Sequence, residues 1–242
     1  MGSFALTDAT IWIAGYDFTG DSNQVSLASS ADELDVTTFG SGGYRSRIGG
    51  LKSVDMQLGG FWQSATLNAV DPQVFTNLGV ADRVITVAPD DAETTPCYMF
   101  QGGKFSYERF GAIGEATPFS CNILSSNGVG MVRGQVAKAK GNVSAPAVLG
   151  SVVNLGAPTA AQFVYAAVHV FSAGTTMTLI LESDTAANFP STQTRATIGP
   201  ITAAGGTWMT RVPGALAGET HWRLSISAIT GTFQVAAAIA VQ

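Results

Sequence analysis

The chain holds few side chains suited to work at a reacting centre. His169 and His221 are its two histidines, both inside stretches that alternate like strands. No Gly-x-Ser-x-Gly elbow sets a nucleophile beside either of them. Cys97 and Cys121 stand without histidines at metal-ligand spacing. They read as buried thiols, and they could pair only if their strands are neighbours. Gly128 to Gly134 (GVGMVRG) lacks both the dinucleotide-binding spacing and the phosphate-loop lysine, and reads as a turn into a strand. Asp35, Asp55 and Glu115 could serve glycoside cleavage if the fold drew them together. Acids alternating along strands more simply make a solvated face. The expectation is a protein that is not an enzyme, with no catalytic residues, no cofactor and no metal.

Bulk composition narrows the class. Of 242 residues, 46% are hydrophobic and only 12% charged, which supplies a large core and argues against disorder. Twenty-eight glycines, with abundant Thr, Ser and Val, favour strands and turns. Net charge is −5, and all of it falls in residues 1–145, which carry 14 acids and 9 bases, against three of each in 146–242. A protein that grips nucleic acid needs a basic stripe, and none is present. No secretory leader and no apolar run near the ~20 residues of a membrane span is visible.

The elements that must position any functional side chain centre on Asp32 to Trp62 (DELDVTTFGSGGYRSRIGGLKSVDMQLGGFW). Leu34 and Val36 alternate with Glu33, Asp35 and Thr37, and Val54, Met56 and Leu58 alternate with Asp55 and Gln57, so both ends read as strands with one wet face. Phe39 to Gly50 joins them with five glycines, a tyrosine and two arginines. A connection this long is too large for a tight hairpin, and its apolar and aromatic content predicts contact with a partner surface.

The rest of the chain predicts an all-β protein with one short helix. Strands are expected at Ala9–Ala14, Asn23–Ser30, Arg83–Ala88, Cys97–Phe110, Gly114–Leu124 and Val129–Lys140. Asp71–Gly79 is the helix, with Asp71 as cap, Pro72 in the first turn, Gly79 after the end, and Val74, Phe75 and Leu78 on a packed face. Pro89–Pro96 is an acidic loop. Ala137–Pro146 loses periodicity and reads as a linker, which puts a boundary between residues 1–145 and 146–242. Beyond it, Val148–Leu155, Phe163–Ser172, Met177–Ser183, Thr194–Thr202, Thr207–Val212, His221–Ile229 and Phe233–Val241 suit a jelly-roll or Ig-like β-sandwich. Its core would hold Phe163, Tyr165, Phe171, Trp208 and Trp222.

Three short blocks carry a resemblance: Asp35-Val36-Thr37-Thr38-Phe39-Gly40, then Arg47-Ile48-Gly49-Gly50-Leu51-Lys52, then Gly59-Gly60-Phe61-Trp62. In order and spacing, over residues 4–140, the chain resembles the major tail proteins of long-tailed bacteriophages. Gly49 or Gly50 stands where many relatives have proline. The part after residue 146 resembles an extra domain found on some such proteins. The resemblance implies a tail-tube β-sandwich or barrel in residues 1–145, and a C-terminal sandwich that decorates the outside.

It further implies self-assembly into stacked hexameric rings, each subunit lending about four strands to an inner barrel. Twenty-four strands ~4.8 Å apart enclose a bore at least ~37 Å across at the backbone, wide enough for duplex DNA. Expected partners are other copies of the chain and the tape measure, terminator and distal tail proteins. The expected location is the virion tail, assembled in the host bacterial cytoplasm. DNA would pass without specific binding, because a negative wall keeps the duplex mobile. Glu33, Asp35, Asp55 and Gln57 are the lumen candidates, with an ordinary outer surface as the competing reading. Phe39, Tyr44, Arg45, Arg47 and Ile48 are candidates for contact between subunits or rings, with the Asp90–Glu93 loop as one possible recipient. The C-terminal sandwich could touch glycans weakly. A carbohydrate-binding adhesin or fibre subunit, and a capsid decoration or head–tail connector protein, are the alternatives.

Overall fold

The period-two alternation becomes sixteen strands and one short α-helix in the computed structural model, which describes residues 8–66, 69–214, 216 and 218–242. The first half holds β1 (Thr10–Ile13), β2 (Tyr16–Asp17), β3 (Ser22–Asp35), β4 (Arg47–Phe61), α1 (Val70–Thr76), β5 (Arg83–Ala88), β6 (Pro96–Arg109), β7 (Pro118–Ser125) and β8 (Val132–Val143). The second holds β9 (Val148–Asn154), β10 (Phe163–Ser172), β11 (Thr176–Asp184), β12 (Gln193–Ile201), β13 (Gly205–Trp208), β14 (Val212–Pro213), β15 (His221–Thr230) and β16 (Phe233–Val241). The all-β class with one short helix is the one expected.

One twelve-stranded sheet runs β13-β10-β16-β8-β6-β5-β1-β2, and β7, β4 and β3 attach to it through β6. A four-stranded sheet, β12-β11-β15-β9, closes the C-terminal sandwich. β6 is the junction. Its first part pairs with β8 and β5, and its last part, Gly102–Arg109, pairs with β7. Gly102 sits at the crossing, where an added Cβ would lie 2.7 Å from the Leu124 carbonyl oxygen. Only glycine lets the two strands approach so closely.

Three apolar layers fill the interior. The first packs Ile11, Ile13, Met56, Leu58, Val74, Phe100 and Ile123 between the β3-β4-β7-β6 region, β1, β5 and α1. The second joins Trp12, Met99 and Val136 to Tyr165, Ala167 and Ala238, so both halves of the chain share it. The third packs Leu179, Trp222, Leu224 and Phe233 inside the C-terminal sandwich. β16 serves two layers: Phe233, Val235, Ala237 and Ile239 face the third, and Ala236, Ala238 and Ala240 face the second. Burial on both faces explains why its sequence is a continuous apolar run.

Several expectations change. Ala137–Pro146 is not a linker through most of its length: β8 runs to Val143 and pairs with β16. Small alanines and lysines gave it little hydrophobic contrast, yet Ala137 is fully buried. Asn23–Ser30 and the segment after Asp32 form one strand, β3, with a register shift between Ala31 and Glu33. Arg47–Gly50 belongs to β4 rather than to the loop. Thr207–Val212 divides between β13 and β14. Asp71 lies in the first turn of α1, where it accepts a hydrogen bond from the Tyr107 hydroxyl at 2.8 Å, and the N-cap is Ala69. Val70, Gln73 and Val74 are the buried side of this two-turn helix, while Phe75 and Leu78 face out.

Candidate assembly surfaces

The centre of the predicted stretch is a projecting arm. β3 and β4 pair from Ser22↔Gly60 to Asp35↔Arg47, but β7 supports β4 only from Asp55 to Phe61. Beyond Ser53 the ribbon is two strands wide. An isolated two-stranded hairpin is marginal in water, and this one exposes Leu34, Val36, Ile48 and Leu51 along its length and Phe39 and Tyr44 at its tip. The tip, residues 36–46, is internally ordered. Val36 N–H donates to the Ser46 carbonyl at 2.9 Å, Ser46 N–H to Thr37 Oγ1 at 2.9 Å, and Thr38 N–H to Ser41 Oγ at 3.1 Å. Gly42 and Gly43 turn it with φ of +61° and +85°. Glu33 accepts from Arg47 at 2.6 Å across the ribbon. Thr37 holds the Asp35 carboxyl below the usual range, through its hydroxyl and its N–H.

The second surface is the outer face of the four strands β3-β4-β7-β6. Alternation sends Val54, Met56, Leu58, Cys121 and Ile123 into the core. The opposite face carries Gln24 and Ser26 on β3, Asp55 and Gln57 on β4, Ser120 and Asn122 on β7, and Ser106 and Glu108 on β6, matched by register. Asn122 donates to Asp55 at 2.8 Å, and Ser106 accepts from the Asn122 N–H at 3.3 Å. No lysine or arginine stands in these rows. Lys104 points to the opposite side and is buried, its ammonium 4.9 Å from the Phe18 ring centre. Burial lowers its pKa to about 8.

Both margins of this four-stranded unit are open. Among the described residues β3 has one strand neighbour, β4, and the β6 segment Phe105–Arg109 has one, β7.

The four lumen candidates do not come together. Asp55 and Gln57 share the polar face, whereas Glu33 and Asp35 lie past the register shift, on the arm. Asp55 pairs with Ala28, and Asp35 is seven residues further along β3, roughly 23 Å away at about 3.3 Å per residue. Glu108, Ser106, Ser120 and Asn122 complete the face. The alternation of Cys97–Phe110 and Gly114–Leu124 contained them, but nothing in one sequence says which strands become neighbours. Of the five contact candidates, Phe39, Tyr44 and Arg45 are on the tip, and Arg47 and Ile48 on the ribbon. In the Asp90–Glu93 loop, Glu93 is engaged within its own chain, accepting from Lys138 and Ser151. Burial opposes its ionisation, but these hydrogen bonds outweigh that and hold its pKa down.

The residues first weighed for catalysis are scattered. His169 is fully buried, with its Nε2 2.8 Å from Thr86 Oγ1. Burial lowers its pKa to about 3. His221 lies beside Thr220 and Asn154. Cys97 and Cys121 are free buried thiols, raised by burial to about 12 and about 11. Among the described residues no cluster of three or more His, Cys, Asp or Glu could hold a metal, and no helix is long and apolar enough to cross a membrane.

No known protein family matches the sequence, and no curated protein matches it. The chain is similar to several solved structures, among them the following three. A chain from the virion of a native gene transfer agent particle is 17% identical, with a TM-score of 0.44 over 53% of this chain and 98% of that one. A chain from the tail of an empty gene transfer agent particle with C6 symmetry is 16% identical, with a TM-score of 0.39 over 52% of this chain and 96% of that one. The Dit protein of phage SPP1, described as a hub of the adsorption apparatus in phages of Gram-positive hosts, is 10% identical, with a TM-score of 0.38 over 97% of this chain and 99% of that one.

Proposed function

We propose that the chain is a structural protein of a bacteriophage tail that closes into hexameric rings and stacks into the tail tube. The observation that carries this reading is the β3-β4-β7-β6 unit, with two open margins and a polar outer face free of cations. Open margins invite pairing with another chain. Here β3 of one subunit pairs with the β6 segment of the next, and six copies give the 24-stranded bore that the sequence resemblance implies. Asp55 and Glu108 then face the lumen among neutral amides and hydroxyls. Such a wall offers phosphates nothing to release their counterions, so DNA moves through without being held.

The arm reaches out of the ring toward the next one, where its apolar side chains are covered. Residues 146–242 lie behind the bore wall, on the outside of the tube. The tape measure, terminator and distal tail proteins are its further partners, and the virion tail is its location. The adhesin reading requires an exposed aromatic platform in the C-terminal half. Among the described residues the large exposed apolar side chains instead lie between Leu34 and Val148.

Negative-stain microscopy of the purified chain tests the proposal. Six-fold rings and tubes of uniform width are expected. Monomers at all concentrations, or a fixed small oligomer that never elongates, would contradict it.

A further inference from the structure

The end of β4 opposite the arm carries an exposed apolar patch, next to the end of the β6 margin used in ring closure. Trp62 and Phe110 lie with ring centres 5.8 Å apart. The Arg109 guanidinium sits 5.4 Å from the Phe75 ring centre and 6.0 Å from that of Phe110. Phe75 and Phe110 are exposed; Phe61 next to Trp62, and Ile113 in the loop three residues beyond Phe110, are exposed as well, Ile113 completely. A surface cluster of this kind, with a cation seated among aromatic rings, marks an interaction site.

Guided by the tail-tube reading, on which this inference rests, we infer that the patch is the socket for the arm tip of a second copy in the adjacent ring. Three observations select that occupant. First, β4 has 15 residues, so arm and patch lie at opposite ends of one strand, roughly 46 Å apart at about 3.3 Å per residue. They cannot satisfy each other within one chain, and a contact between opposite ends is head-to-tail and open-ended. Second, the tip presents Phe39 and Tyr44, both strongly exposed, as apolar counterparts to the patch. Third, the charges complement. The tip carries Arg45 and the ribbon Asp35, while the patch carries Arg109 and the 110–117 loop Glu115. None of these four has an ion-pair partner among the described residues. The apolar cleft lined by Val25, Leu27, Val87, Tyr98 and Met131 is the competing receptor. It lies along the middle of β3, where an arm would bind sideways rather than along the stacking direction.

Disulfide trapping between variants of the full chain that each carry one added cysteine tests this, since the native Cys97 and Cys121 are buried. A Tyr44→Cys chain is mixed with an Ile113→Cys chain under glutathione disulfide, and each is also treated alone. A reducible dimer in the mixture, absent from either chain alone, is the expected result. A dimer from Tyr44→Cys mixed with Tyr98→Cys, and none with Ile113→Cys, would overturn the socket while leaving ring stacking intact. Absence of both dimers from chains that stack under the microscope would overturn it equally. Wild-type chains that never stack would sink the tail-tube reading first, and the socket with it.

Discussion

Asn122 of β7 donates a hydrogen bond to Asp55 of β4 at 2.8 Å, on the face away from the core. The pair ties two neighbouring strands of the polar face together and holds the Asp55 carboxylate among uncharged partners. In the proposed tube this face is the wall that DNA passes.

Reversing the charge of that wall should make it adhesive. Tubes of Asp55→Lys/Gln57→Lys are expected to retain duplex DNA at low salt and to release it steeply as salt rises, because each neutralised phosphate adds to the salt slope. Filter retention of labelled duplex against salt measures this. Equal retention by wild-type and variant tubes would place the face away from the bore.

The arm should matter for assembly and not for folding. Leu34→Ser/Ile48→Ser is expected to leave Tm unchanged within a few degrees, since both side chains are exposed, yet to prevent elongation. Deleting Ser41–Ser46 should likewise give soluble subunits that build no tubes. Breaking the exposed Glu33–Arg47 pair with Glu33→Gln should cost less than ~1 kcal/mol. Light scattering with thermal unfolding separates these effects. Normal elongation by the Ser variant would show that the apolar ribbon is not a contact.

His169 should give the fold an acid limb. Its pKa falls from 6.5 to about 3 on burial, so below pH 6.5 the unfolded chain binds the proton and the folded chain does not. Stability is full above pH 6.5 and falls, by at most ~1.4 kcal/mol per pH unit, as pH drops toward 3. His169→Gln should flatten this part of the Tm–pH curve. An unchanged slope in the variant would assign the acid limb to other groups.

Lys104 should act at the alkaline side. Its pKa falls from 10.5 to about 8 on burial, so between pH 8 and 10.5 the folded chain has shed a proton that the unfolded chain keeps. Stability therefore rises with pH across that window. Lys104→Met, which keeps the volume without the charge, should abolish the rise. Chemical denaturation at pH 7.5 and 10 measures both chains.

Read from the sequence, residues 146–242 are a sandwich that decorates the outside; the packing makes them part of a layer shared with the first half. β16 pairs along β8, and Tyr165, Ala167 and Ala238 cover Trp12, Met99 and Val136. Truncation after residue 146 would bare that layer together with a long strand margin. The truncated chain is expected to be insoluble or aggregated in size-exclusion chromatography. A well-folded truncated monomer would show the first half to be self-sufficient.

The strands were legible where alternation was strong. Arg83–Ala88, Phe163–Ser172 and Phe233–Val241 appear with the predicted bounds. Ala137–Val143 hides a half-buried strand behind alanine, lysine and glycine, and Phe75 and Leu78 have the composition of a packed face but turn away from the core, Phe75 toward the Arg109 guanidinium. The polar face was half legible. Asp55 and Gln57 declared themselves by alternation with Val54, Met56 and Leu58, but Glu108 and Asn122 joined them through strand pairing, which is a property of tertiary contacts. Glu33 and Asp35 lie apart from Asp55 because they stand five and seven residues further along β3 than Ala28, its partner, out on the ribbon.

A cryo-electron microscopy reconstruction of the assembled chain tests the central claim most directly. The account predicts β3 of each subunit hydrogen-bonded to the β6 segment Phe105–Arg109 of its neighbour, with Asp55 and Glu108 facing the bore. A ring in which β3 remains unpaired, or in which Asp55 and Glu108 face the outside, would contradict it.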